Sequence, residues 1–279
     1  MKPAPFDYER PGTLGQALEL LSQPGIFSKV VAGSQSLGPM LNLRLAQPDL
    51  LVDVCAIPEL RATTEQRDCI DLGACITHAD IEDGRIPDVA RGMLGFVAGR
   101  IAYRAVRNRG TIGGSLAHAD PAADWISVFP LLRAEIIVRS SAGERKITAE
   151  DLMISSFITV LQPAEIICAV RVPKISPGAR WGFYKFSQKA GEFAHVIGAI
   201  LHEPEAECFR AVIGAIERPP IIISDASTLF NGSFAPDLAD RIDSRAVLNL
   251  LDQRRVDDDY TRQLAVVALK RAAKQASQL

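Results

Sequence analysis

The chain is predicted to adopt an α+β fold in two parts, on three observations. Apolar residues at helical spacing alternate with short apolar runs of strand length, two small-residue turns interrupt the first half, and a series of alternating strand segments follows Ser176-Pro177-Gly178-Ala179. At 279 residues the chain exceeds the usual size of one domain, so two hydrophobic cores are expected.

The elements follow in order. Thr13 is placed to cap a helix beginning at Leu14, which ends before Pro24-Gly25 and packs on a strand from Lys29 to Ala32. After a small-residue turn and a short helical or irregular segment, Pro48 to Val54 reads as a second strand. Cys69 to Ala74 reads as a short strand, and Thr77 caps a helix from His78 to about Asp83. Val89 to Ala105 carries Gly92, Gly95, Ala98, Gly99 and Ala102, a composition that suits one tightly packed helix. Ala122 to Leu132 reads as a buried helix, and the runs 134–139 and 145–147 as a hairpin. Ile166 to Val172 alternates like an edge or interdomain strand and stops at Pro173. Beyond the boundary come strands at Trp181 to Ser187, His195 to His202 and Cys208 to Ile216, then helices from Ser224 and from Val256.

The two turns carry the chemistry. Ala32-Gly33-Ser34-Gln35-Ser36-Leu37 lies between two strands, and Gly110-Thr111-Ile112-Gly113-Gly114-Ser115 follows a small-residue segment. Exposed main-chain N–H groups in such turns can point at an anion, and adjacent glycines let a ligand approach the backbone. Taken singly, either turn reads equally well as an ordinary tight bend; together they read as two cradles for one diphosphate. Neither is a GxGxxG fingerprint or a GxxxxGK[ST] loop, which disfavours a nicotinamide Rossmann site and an NTPase.

Composition excludes other classes. The 31 basic and 33 acidic residues nearly balance without long like-charge blocks, so neither nucleic acid nor an electrostatic membrane anchor is indicated. No segment approaches the ~20 apolar residues of a membrane span, and the N-terminus lacks the apolar core of a signal peptide, which makes a cytoplasmic location the expectation. Five scattered cysteines without a CxxC pair indicate neither a disulfide framework nor an iron–sulfur cluster, and read as buried thiols. The four histidines are too far apart for a metal triad and read as structural or exposed.

Val31 to Leu37, Arg44-Leu45-Ala46, Asn108 to Ser115 and Asp120-Pro121-Ala122-Ala123-Asp124 resemble, in order, the flavoprotein (medium) subunit of the molybdenum hydroxylases, the family of carbon monoxide and xanthine dehydrogenases. Asp257 to Leu264 is similar to that family's terminal helix. The resemblance implies an FAD-binding domain of the vanillyl-alcohol-oxidase (PCMH) type at 1–175, in subdomains of about 1–55 and 56–175, followed by an antiparallel sheet with helices at 176–279.

By the same resemblance, Ala32, Gly33, Ser34, Gln35, Ser36 and Leu37 with Thr111, Ile112, Gly113, Gly114 and Ser115 hold the pyrophosphate and adjoining hydroxyls of a non-covalent FAD. Asp124 accepts from a cofactor hydroxyl, or is simply a carboxylate at a helix N-terminus. Ile101 and Ile167 pack on the rings, or are ordinary core residues; Phe193 lies against the isoalloxazine, or is a strand aromatic in the core. Lys185 aligns with a lysine near the flavin's polar edge, where its charge stabilises the anionic reduced ring. Ser34 stands where relatives often carry a second glycine, and serves if its φ is negative.

The implied role is electron transfer: FAD takes electrons from [2Fe-2S] clusters of a small partner subunit and passes them to an external acceptor. Substrate oxidation then belongs to a large molybdopterin subunit, in an assembly that resembles a dimer of heterotrimers, and no catalytic residue or metal ligand is assigned here. The alternatives are a self-sufficient flavin oxidoreductase of the same fold and a non-redox binding or assembly protein.

Overall fold

The structure, a computed structural model, describes residues 2–278. Its first layer is a small parallel sheet in which Leu50–Asp53 lies between Asp7–Glu9 and Ser28–Val31. The helix Leu14–Leu21 starts as anticipated at Thr13, whose side chain accepts from the Gln16 amide, and buries Leu14 and Ala17 in a core with Leu50 and Val52.

An antiparallel sheet of five strands follows, in the order Thr63–Glu65, Cys69–Gly73, Ile166–Pro173, Glu135–Ser140, Gly143–Thr148. Ile166–Pro173 is therefore central, not an edge strand. Its alternation breaks at a register shift between Ile167 and Ala169, and partners on both sides bury Ile166, Val170 and Val172. The cap at Thr77 is a complete capping box with Asp80, and starts the helix His78–Glu82.

The single helix expected over Val89 to Ala105 is instead two short helices, Met93–Ala98 and Arg104–Arg107. Gly92 and Ala102 both take left-handed φ values, of 82° and 43°. The small residues that suit close packing also bring poor helix propensity, and here the loop wins. Arg107 fixes that loop: it pairs with Glu82 at 2.8 Å and donates to the carbonyls of Ile101 and Ala102 at 3.0 Å.

The helix Asp124–Leu131 is buried along its whole length. On one side it packs against a second antiparallel sheet of Arg180–Phe186, Val196–Glu203, Cys208–Gly214 and Ile221–Ile223. The approach is close enough that a Cβ on Gly214 would overlap the Ser127 hydroxyl. The far face of this sheet is covered by Asp259–Gln278, through Ala265, Ala268, Leu269, Ala272 and Ala273. A Cβ on Gly198 would stand 2.5 Å from the Ala268 carbonyl carbon, so glycine there is what lets an alanine-faced helix lie directly on the strand. The helix expected from Ser224 begins as one 3-10 turn, Ala226–Leu229, and a regular helix follows only at Ser244–Gln253; Asn231 and Gly232, both at positive φ, separate them. One core runs across both sheets, since Trp181, Phe183 and Ile197 pack with Met93, Val97, Trp125 and Phe129.

Candidate functional site

A cleft of about 830 Å³ opens where the three sheets converge. It is lined by the first turn from Ala32 to Leu37, by Thr111, Gly113, Gly114 and Ser115 of the second, and by Ile101, Asp124, Ile167, Lys185 and Phe193. Residues far apart in the sequence are thus brought to one surface. Ile112 is the exception among the expected contacts: it is fully buried in the main core, its amide donates to the Ile76 carbonyl, and it does not reach the cleft.

The two turns touch. A Cβ on Gly33 would overlap the Arg109 carbonyl oxygen and lie 2.9 Å from Gly110 Cα. Glycine at 33 is required by this backbone contact, whatever the cleft holds.

Their hydrogen-bonding capacities differ. In the first turn, the amides of Gly33, Ser34, Gln35, Ser36 and Leu37 have no protein acceptor among the described residues. Backbone N–H groups left open in this way, at the start of a short helix over Leu37–Asn42, form a concave donor set for an anion. In the second turn most amides are already used. Ile112 donates to Ile76 at 3.1 Å, Gly113 to Ala74 at 2.9 Å, Gly114 to Thr111 Oγ1 at 3.1 Å and Ser115 to the Thr111 carbonyl at 3.0 Å. The two turns thus differ as amide donors: the first leaves five consecutive amides open, and the second leaves the Thr111 amide with the hydroxyls of Thr111 and Ser115. Gly113 is glycine because a Cβ would sit 2.5 Å from that of Ala74, which seats Ile112–His118 on the end of Cys69–Gly73.

Ser34 has φ 61°, so the condition on which serine would substitute freely for glycine is not met. The left-handed conformation that aims these amides costs an L-residue roughly 1–2 kcal/mol. Ser34→Gly is expected to raise stability by about 1 kcal/mol in thermal or denaturant unfolding while leaving the donor set intact. A variant no more stable than the parent would show that Ser34 carries no such strain.

At the other end of the cleft, Asp124 and Lys185 form a buried ion pair, Oδ2 to Nζ 3.0 Å, with side chains 4% and 7% exposed. Sequence reasoning assigns each a separate role; the structure couples them. Burial pushes the Asp124 carboxyl above its ordinary range, and the Lys185 ammonium opposes that shift. Asp124 Oδ1 is buried with no partner, an acceptor left over beside a cleft whose lining is mainly apolar. Ile167 is buried and Ile101 half-buried on the same wall. Phe193 is neither in a strand nor in the core: it is 67% exposed, on the loop between Arg180–Phe186 and Val196–Glu203, at the rim.

Two of the four histidines reach the cleft. His118 lines the cleft half-buried beside Phe157, and His78 lines it while only 5% exposed. A histidine directly after the helix N-cap Thr77 is the signal available in the sequence. Of the five free cysteines only Cys75 is buried; the others are half-buried, a correction to the reading of all as buried thiols.

Residues 4–175 match the family described as FAD binding domain in molybdopterin dehydrogenase. The chain belongs to that family. It is 38% identical over 216 residues, 76% of this chain and 73% of the relative, to the 6-hydroxypseudooxynicotine dehydrogenase complex subunit alpha of Paenarthrobacter nicotinovorans. It is 35% identical over 194 residues, 70% and 68% of the two chains, to the carbon monoxide dehydrogenase medium chain of Hydrogenophaga pseudoflava. Among solved structures, carbon monoxide dehydrogenase from the same organism superposes with a TM-score of 0.83 at 29% identity, covering 99% of this chain and 98% of that one. Quinoline 2-oxidoreductase from Pseudomonas putida 86 gives 0.84 at 28%, covering 100% and 99%.

The protein is thus an FAD-binding medium subunit of the molybdenum hydroxylase family, an oxidoreductase component with the fold expected from its sequence. The site fits the cofactor. The cleft volume lies within the roughly 300–1,000 Å³ of small-molecule pockets, the open amides suit a diphosphate, and the spare Asp124 oxygen suits a hydroxyl donor. Among the described residues no helix is long and apolar enough to cross a membrane.

Proposed function

We propose that this chain is the electron-transfer subunit of a heteromeric molybdenum hydroxylase or dehydrogenase. On this reading it takes electrons from [2Fe-2S] clusters on a small partner subunit and delivers them to an external acceptor, while a large molybdopterin subunit oxidises the substrate, in a dimer of heterotrimers in the cytoplasm. Residues 1–175 form its FAD-binding domain, in subdomains of about 1–55 and 56–175, and 176–279 its second domain.

The observation that carries the reading is the run of open amides from Gly33 to Leu37 on the floor of a cleft whose far end holds a buried ion pair. Bound FAD supplies the redox chemistry, exchanging electrons with partners on either side. The protein's own residues bind and orient. The first turn holds the diphosphate through main-chain donors, each worth a charge-assisted hydrogen bond without the cost of ordering a long side chain. Thr111 and Ser115 face it from the second turn. Asp124 Oδ1 accepts from a cofactor hydroxyl, and Lys185 places positive charge beside the ring system. Ile101 and Ile167 exclude water from the ring faces, and Phe193 closes the rim.

The test is purification of the protein from its native host, with mass and metal analysis. The expected result is one FAD per chain, co-purifying with subunits that contain iron and molybdenum. A colourless chain, or a single chain that oxidises a small molecule unaided, would reject the reading.

A further inference from the structure

We propose that His78 is a further cofactor-holding residue, donating a hydrogen bond from Nε2 to a phosphate oxygen of the dinucleotide on the side of the second turn. The proposal rests on the FAD site argued above.

The second turn faces the cleft with the amides of residues 112–115 committed to its own fold, which leaves it the Thr111 amide and the hydroxyls of Thr111 and Ser115, so a side-chain N–H at its edge adds to a sparse donor set on that side. His78 stands there. A Cβ on Gly110 would come within 2.9 Å of both Cδ2 and Nε2 of its ring, and its own amide donates to the Gly110 carbonyl at 2.9 Å. Gly110 in turn presses against Gly33, the first residue of the donor run. The imidazole, Gly110 and the first turn are thus consecutive neighbours on one wall.

The ring's protonation is set from behind. The fully buried Trp125 donates from Nε1 to His78 Nδ1 at 3.1 Å, and an indole nitrogen only donates. Nδ1 therefore carries the lone pair, and in the neutral ring the proton resides on Nε2. Burial, reinforced by the Arg107 charge, lowers the imidazole pKa to about 4, so the ring is neutral at physiological pH. Nε2–H has no protein acceptor among the described residues, and the side chain lines the cleft. A fixed tautomer, a fully buried Trp125 stacked on Phe129 5.0 Å away, and one N–H without a protein acceptor make a pre-organised donor.

The experiment uses the full-length chain with FAD as the probe, and compares the parent with His78→Phe, His78→Met and His78→Gln. Phenylalanine and methionine fill the space without donating. Glutamine can accept from Trp125 with its oxygen and donate into the cleft with its nitrogen. Loss of one hydrogen bond to a charged acceptor should weaken FAD binding about ten- to a hundredfold in the Phe and Met variants. The Gln variant should recover to within roughly threefold of the parent, because its amide can restore both hydrogen bonds. The 31P resonances of bound FAD should move in the Phe and Met variants and return towards the parent's in the Gln variant. A purely packing role would not produce that rescue, and cooperative melting without FAD shows which of the two non-donating variants to compare. Equal affinity in all variants, equal loss in all three, or unchanged 31P resonances would overturn the assignment of His78. A parent chain that takes up no FAD would instead overturn the site itself.

Discussion

Replacing Gly33 by alanine is expected to cost the protein its FAD. The added methyl group meets the Arg109 carbonyl oxygen and the Gly110 Cα, backbone atoms that cannot rotate away, so one of the two turns must move. Movement of the first turn redirects the amides of Ser34 to Leu37, which nothing else in the fold holds in place through hydrogen bonds of their own. If two of these donors are lost to a phosphate, at about 1.5–3 kcal/mol each, binding weakens by roughly 10² to 10⁴-fold. Gly15 is the control. Nothing lies within 4 Å of its Cβ position inside the helix Leu14–Leu21, so Gly15→Ala should keep full flavin content and gain about 0.5–1 kcal/mol from helix propensity. Flavin-to-protein ratio after desalting, together with FAD titration, measures both. A folded Gly33→Ala protein with stoichiometric FAD would show that the first turn is not the phosphate cradle.

The contrast between the two turns marks how far the sequence can be read. Local chemistry is legible: Thr13 and Thr77 cap the helices they precede, and the strand–turn–strand setting of Ala32 to Leu37 is present in the fold. Chemistry that depends on a distant partner is not. The amides of Ile112 and Gly113 look as available as those of Gly33 and Ser34 until Ile76 and Ala74 are folded beneath them. The handedness of Ser34 is equally hidden, because a residue's φ is set by where the following helix must start. Ile166–Pro173 reads as an edge for the same reason: an alternating strand looks half-buried, and only the five-stranded order shows neighbours on both sides. The role of His78 is invisible in its own segment, because it comes from Trp125, forty-seven positions away in sequence.

Asp124 and Lys185 are each assigned to the cofactor by resemblance, and their pairing offsets part of the effect expected of either alone. A lone lysine beside the ring would only raise the flavin's midpoint potential, by stabilising negative charge on the reduced form. A lysine paired at 3.0 Å with a carboxylate delivers only the remainder of its field. Asp124→Asn, which frees that field, is therefore expected to raise the midpoint potential, and Lys185→Met to lower it, each on the order of 30 mV, which is ~1.4 kcal/mol for a two-electron couple. Potentiometric titration of the FAD-loaded protein separates the cases: shifts of the same sign, or none, would place the pair away from the ring.

Stability gives an independent readout. Burial raises the folded-state pKa of Asp124 above its ordinary 3.8, so the folded protein binds that proton more readily than the unfolded chain. The favourable contribution is complete below 3.8 and is lost as pH rises through the raised folded value. Lys185→Met removes the charge that opposes this shift, leaves a buried carboxylate unpaired at a cost of about 3–5 kcal/mol near neutrality, and widens the pH window. The Lys185→Met protein should thus regain stability on acidification from pH 7, more steeply than the parent. Asp124→Asn should lose that particular pH dependence, because the titrating group is gone. Unfolding curves that kept the parental pH slope in both variants would mean that the pair is solvated in solution, and that its charges reach the cofactor only through water.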